Sequence, residues 1–222
     1  MLVSLYAGTQ TKLIMISKIC SSLLLLSIFA CNRIPAQSHL QTDTASKNYD
    51  NILTEREHQA SVKTTDNLGA LVAQINFKVK TDNLADFQEG FIPWVELEHP
   101  DKDLEQLIDK NEVVINNNKV TLIIDYPLTK ECRFELASSN GFTRAQLVKQ
   151  ISEKYHQIYQ EEETSAMTKT IPADKRTTLY NRNQTDGKYG IWGHDLADLA
   201  LDHILVYKSP NGDILLSLDI DS

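Results

Sequence analysis

The chain has 222 residues, 41% of them hydrophobic, and its 30 acidic against 22 basic side chains give a formal net charge of −8. This length suits one domain with a substantial core, or a smaller domain with appendages. The acidic balance excludes a nucleic-acid surface, which needs clustered cations to release counterions from phosphate, and it excludes electrostatic adhesion to anionic lipid, so any membrane attachment has to be covalent.

Lys18 is followed by the apolar run Ile19–Ala30, which is too short to span a bilayer, and the run ends at Cys31. No acidic residue precedes Asp43. With Ile28-Phe29-Ala30-Cys31 as its box, the segment resembles the signal peptide and lipobox of a bacterial lipoprotein. The resemblance implies that residues 1–30 are a signal peptide, with Met15-Ile16-Ser17-Lys18 as its basic start. It also implies that Cys31 is the lipidation site, acylated with palmitate-like chains, since durable anchoring takes two or more of them. The mature chain is then exported and held in the cell envelope by its lipid. Asn32, and not Asp, follows the cysteine, which favours the outer membrane or cell surface over the inner membrane. Removing Lys12 and Lys18 leaves 20 basic against 30 acidic residues, a charge of −10. Cys20 leaves with the signal and Cys31 is consumed by lipid, so Cys132 stands alone and no intrachain disulfide forms. Alternating with Phe134 and Leu136, Cys132 is expected as a small buried hydrophobe and not as a nucleophile.

After Cys31 the chain is polar to about Asn67, with scattered apolar residues, and residues 31–67 read as a flexible tether with an r.m.s. reach of about 30–35 Å. Ile52–His58 carries at most a fraying helix, because no apolar face is sustained there.

Residues 68–222 read as one globular domain. Leu71, Ala73, Ile75, Phe77 and Val79 alternate with polar residues, predicting a half-buried strand over 71–80. Phe91–Glu98 offers a second strand with Val95 and Leu97 inward and Pro93 confining it to an edge. Leu104, Leu107 and Ile108 have helical spacing behind Asp101 and Asp103. Glu112–Ile115 and Lys119–Tyr126 flank Asn116-Asn117-Asn118, a predicted tight hairpin, and Ile123 lies opposite Val120, Leu122 and Ile124, so that strand is expected to be covered on both sides. Cys132–Leu136 alternates and ends before Asn140-Gly141.

Three signals then fix one helix start: Thr143 as N-cap, Gln146 completing a capping box, and Phe142 stapling to Leu147. Leu147, Ile151, Tyr155 and Ile158 make its stripe, and a helix of about 20 residues would be about 30 Å long. Glu161-Glu162-Glu163 opposes the macrodipole near its end, which predicts fraying, and i, i+1, i+2 side chains cannot converge on a metal. The run Asn181–Gly187 glances toward a calcium loop but has its glycine one place late and Trp192 where Glu is required. His203–Lys208, the turn Ser209–Gly212 and Asp213–Asp221 form a closing hairpin. The order predicts an α+β domain: an antiparallel or mixed sheet of about five to six strands with one long helix packed on it.

The densest chemistry lies in Tyr189-Gly190-Ile191-Trp192-Gly193-His194-Asp195-Leu196-Ala197-Asp198, a segment that resembles stretches of uncharacterised bacterial proteins, which implies no activity. A helical turn after Gly193 would stack His194 on Asp198 at i, i+4 to share a proton or a metal. The structural alternative has Asp195 capping a short turn with Asp198 at its third position and Trp192 plugging the core, since one His-Asp pair lacks the further ligands of a zinc or catalytic site. His203, at a strand start, is not counted as a ligand. No glycine-rich phosphate loop, Gly-x-Ser-x-Gly elbow, His-Glu-x-x-His helix or Cys-x-x-Cys pair occurs. The expectation is therefore a membrane-anchored envelope module that binds a protein partner or a small ligand, with no cofactor and no metal, catalytic residues unknown, Trp192 as its ligand-contact candidate and nucleic acid excluded. The alternative is an envelope hydrolase using His194 with Asp195 or Asp198, with or without a metal.

Overall fold

The computed structural model describes residues 38–61 and 67–222, all within one compact unit, Gln37–Ser222. The expected signal peptide, the lipobox with Cys31 and the two ends of the expected tether lie outside the described residues.

Most of that tether is helix. Ser38–Ser61 forms α1, 24 residues long, and Leu53 is buried against the domain. The contact is made by Tyr49, Leu53, Arg56 and Glu57, at i, i+4, i+7 and i+8, which is one helical face. Only one of these four is aliphatic, so a search for an apolar stripe passes over it.

The remaining helices are α2 (Asp101–Gln106) and α3 (Arg144–Ser165), and the strands are β1 (Ala70–Asn76), β2 (Val79–Lys80), β3 (Phe91–Ile92), β4 (Val95–Glu96), β5 (Val113–Ile115), β6 (Lys119–Ile124), β7 (Cys132–Ala137), β8 (Phe142–Thr143), β9 (Ala200–Lys208) and β10 (Ile214–Asp221). Six strands form one sheet in the order β1-β9-β10-β6-β7, with β4 also pairing β9. All its pairings are antiparallel except β10 with β6, so the sheet is mixed. With α3 laid on it the fold is α+β.

The capping box starts α3 as expected: Gln146 N donates to Thr143 Oγ1 at 3.2 Å and Thr143 N to Gln146 Oε1 at 2.9 Å. Leu147, Val148, Ile151, Tyr155 and Ile158 are fully buried and meet Leu122, Ile124, Leu201, Ile204, Val206 and Leu216 from the sheet, with Val95 and Leu97 also inward. Ile123 points the other way, into a second cluster with Leu68 and Tyr207, so β6 is covered on both faces.

Three local expectations are corrected. The strand over 71–80 is two strands in different sheets, and a bulge between Leu71 and Ala73 breaks its alternation and leaves Leu71 56% exposed. The Asn116–Asn118 hairpin does not form: β5 pairs β8, and β6 pairs β7. None of those asparagines takes a positive φ; Gly141 does, at 77°, and a Cβ there would lie 2.4 Å from Ile115 O. A backbone approach that only glycine permits thus wins over local turn propensity. Finally, α3 does not fray at its three glutamates, because Glu162 is buried and bonded, as described next.

Candidate functional site

The segment 185–193 is wrapped around a buried carboxylate. Glu162, fully buried on α3, accepts from Thr185 Oγ1 at 2.6 Å and Gly187 N at 2.8 Å on Oε1, and from Tyr189 N at 2.7 Å and Gly190 N at 3.1 Å on Oε2. Burial pushes this carboxyl up, but the hydrogen bonds from Thr185, Tyr189, Gly187 and Gly190 outweigh it and hold it below its ordinary value. The glycines follow from this packing. A Cβ on Gly187 would lie 2.8 Å from the Glu162 carboxyl, and Gly190, at φ 68°, would press a Cβ to 3.0 Å from Thr129. The flanking glutamates go elsewhere: Glu161 to Lys188 and Tyr189, Glu163 to Thr170 N.

Beside it lies a polar core around Arg182, only 2% exposed. Its guanidinium donates to Ile191 O at 3.2 Å and Thr170 Oγ1 at 2.6 Å and stacks over Tyr159. Asn183 ties in the loop through Ile171 N and Lys169 O. The polar run that glances toward a calcium loop is thus structural, with Arg182, Asn183 and Thr185 turned inward and Asp186 exposed and accepting from Thr168 N.

This frame sends the candidate residues in separate directions. Asp195 pairs with Arg176 at 2.7 Å and lies 3.7 Å from Arg182. Asp198 accepts from Asp195 N at 2.8 Å, capping the short 3-10 turn Leu196–Asp198. His194 turns away from both, and its Nε2 lies 2.7 Å from Glu57 Oε1 of α1. The i, i+4 pair of His194 with Asp198 is not formed; the histidine's partner comes from 137 residues upstream.

Around His194 the side chains do converge. Tyr126 OH lies 3.0 and 3.1 Å from the Glu57 oxygens and 2.7 Å from Ser222 Oγ. The rings of Tyr126, Trp192 and His194 pack with centroids 5.3 to 5.9 Å apart, and the Arg56 guanidinium lies 5.6 Å from the Trp192 centroid. Tyr49 OH donates to Arg182 O at 2.5 Å, and Leu53 packs toward Gly193. Burial, then the Glu57 charge, pushes the Tyr126 phenol up, so it remains a protonated donor. Between α1 and these residues opens a cleft of about 670 Å³, lined by Arg56, Glu57, Gln59, Asp125, Tyr126, Thr129, Glu131, Trp192 and Asp219 among others. The arrangement can hold a polar ligand against aromatic edges. Of the residues expected at a site it includes Trp192, and His194 buttresses it through Glu57.

Asp202, His203 and Asp219 form a second cluster, with one ligand atom of each within 4.8 Å of the others. His203 Nδ1 lies 3.0 Å from Asp202 and 3.2 Å from Asp219. It arises from the register of β9 against β10, which pairs His203 with Asp219, and such a cross-strand placement cannot be read along the sequence. Cys132 is partly buried, its Sγ donating to Ile124 O at 3.6 Å, and burial pushes the thiol up to about 12. A scan against family models and searches of curated proteins and of solved structures return no match.

Proposed function

We propose that the chain is an exported lipoprotein, held at a membrane of the cell envelope through acylated Cys31, whose folded part is a binding module with the α1 cleft as its ligand site. The lipobox-like sequence supports the anchoring and export, with the outer membrane or cell surface favoured by Asn32. The observation that carries the binding reading is the cleft itself: α1, the helix nearest the proposed anchor in sequence, supplies one wall of it. The hydrolase reading loses its acids, because Asp195 is held by arginines and Asp198 by a backbone N–H. His194 pairs instead with Glu57, which engages Tyr126.

The test is photo-crosslinking in the native envelope. A benzophenone amino acid at Gln59, on the exposed cleft rim, is expected to capture a discrete ligand or partner that the same group at Lys102, on exposed α2, does not. Identical adducts from both positions, or none from Gln59, would contradict the reading.

A further inference from the structure

Near the end of the β9–β10 ladder the register slips by one residue. Asp219 stands opposite His203 and Ile220 opposite Leu201, so Asp202 is the extra residue of a β-bulge. In an unbroken strand Asp202 and His203 would face opposite sides of the sheet. The bulge changes the phase: Leu201 and Ile204 are both fully buried in the core, and the two residues between them turn away from it. On β10, Leu218 and Ile220 pack against the same core, so Asp219 also faces outward. Bulges recur beside functional sites because they re-aim a side chain, and here the re-aimed side chain is a carboxylate. His203 Nδ1 then lies 3.0 Å from Asp202 Oδ2 and 3.2 Å from Asp219 Oδ2, with all three atoms within 4.8 Å of one another.

From this geometry we infer that Asp202, His203 and Asp219 bind a divalent transition-metal ion of the zinc class. The ligands are the Nδ1 lone pair of neutral His203 and one oxygen of each carboxylate, with water in the remaining positions. A single proton on Nδ1 can be aimed at one of the two oxygens and serves the other poorly, whereas a divalent ion takes an electron pair from all three atoms and cancels both carboxylate charges. With metal–nitrogen and metal–oxygen bonds of about 2.0–2.2 Å, neighbouring ligand atoms stand about 2.8–3.6 Å apart, from right-angled to tetrahedral geometry. The two separations at Nδ1 fall inside that range. The imidazole donor favours zinc-like ions over Mg2+ and Ca2+, which take oxygen ligands. Solvent reaches the site, since the side chains of Asp202 and Asp219 are 45% and 57% exposed. The ion ties β9 to β10 where the bulge interrupts their ladder, and the site stands whether or not the α1 cleft takes a ligand.

The test is calorimetric titration of Zn2+ into the detergent-purified full chain, stripped with EDTA and dialysed free of it. One Zn2+ per chain is expected to bind, and Asp202→Asn, Asp219→Asn and His203→Ala are each expected to weaken it by at least about tenfold. Asn preserves the shape of an exposed Asp, and circular dichroism without metal checks that each variant folds. His99→Ala removes an exposed histidine beside Glu98 and serves as the control for adventitious binding; it should leave the Zn2+ affinity unchanged. Thermal unfolding gives a second readout: Zn2+ should raise the Tm of wild type and of His99→Ala, but not that of His203→Ala. Mg2+ is expected not to displace Zn2+ at equal concentration. Absence of stoichiometric Zn2+ binding, affinity unchanged in folded Asp202→Asn and Asp219→Asn, a loss in His99→Ala equal to that in His203→Ala, or equal competition by Mg2+ would overturn the inference.

Discussion

Glu162 is the residue on which the shape of the site most depends, and its replacement by Gln has a calculable cost. The carboxylate receives four hydrogen bonds, two on each oxygen. Gln retains one accepting oxygen and sets an NH2 group against the other two donors. Two buried donors left facing a donor cost about 1–3 kcal/mol each, so about 2–6 kcal/mol in all. For a domain of this size that is a fall in Tm of about 4–24 °C. Urea unfolding followed by tryptophan fluorescence and by far-UV circular dichroism gives the free energy, and calorimetry the Tm. The sign of the acid dependence follows from the lowered pKa. The carboxylate's contribution is fully present above the unfolded value of about 4.3 and is lost as pH falls through the folded one. Wild type should therefore lose stability faster than Glu162→Gln as pH drops below about 4.3. Gly187→Ala should also destabilise, by driving a methyl against the Glu162 carboxyl and Ser165 Oγ, and by less in a Glu162→Ala background, where only Ser165 Oγ remains in the way. A Glu162→Gln variant within about 0.5 kcal/mol of wild type, the range of surface substitutions, would refute the reasoning.

Leu53→Ala should release α1 without unfolding the sheet: amides of residues 49–57 lose hydrogen-exchange protection by about 2–3 kcal/mol, while those of α3 and β9 keep theirs. Loss of protection throughout the chain would mean that α1 is part of the core. In the processed, acylated chain Cys132 is the lone thiol, and at pH 8 it should react with iodoacetamide on the order of a hundred- to a thousandfold more slowly than in urea; equal rates would contradict its burial. The Glu57–His194 pair is more than a third exposed at Glu57, so a double-mutant cycle with Glu57→Gln and His194→Ala should return a coupling of only about 0.2–1 kcal/mol.

What the sequence reveals here is what neighbouring residues decide among themselves. The start of α3 is legible because Phe142, Thr143, Gln146 and Leu147 complete a local motif, and the β9–β10 hairpin because both strands alternate around Ser209–Gly212. The inward face of Val95 and Leu97 and the double burial of β6 at Ile123 follow from the same alternation. The Asn116–Asn118 turn is misread because a distant partner, Phe142 beside Gly141, claims Ile115. The site divides in the same way. The dense composition marks Trp192 and His194, but Glu57, Arg56 and Tyr49 come from a helix whose contacting face is polar and whose periodicity therefore gives no apolar signal. The close backbone approach at Gly187 and Gly190 has its cause in the buried Glu162, a charge that reads as solvent-facing within Glu161-Glu162-Glu163.

Helix α1 also changes the meaning of the stretch after Cys31. A coil would let the domain float at varying distance, whereas a helix of 24 residues, about 36 Å long and docked on the domain, makes part of that stretch one wall of the cleft. Location and the solitude of Cys132 rest on acylation of Cys31, and metabolic labelling with an alkyne palmitate analogue tests that most directly. Wild type should be labelled and recovered with membranes, and Cys31→Ala should be neither; an unlabelled wild type, or label that persists in Cys31→Ala, would contradict it.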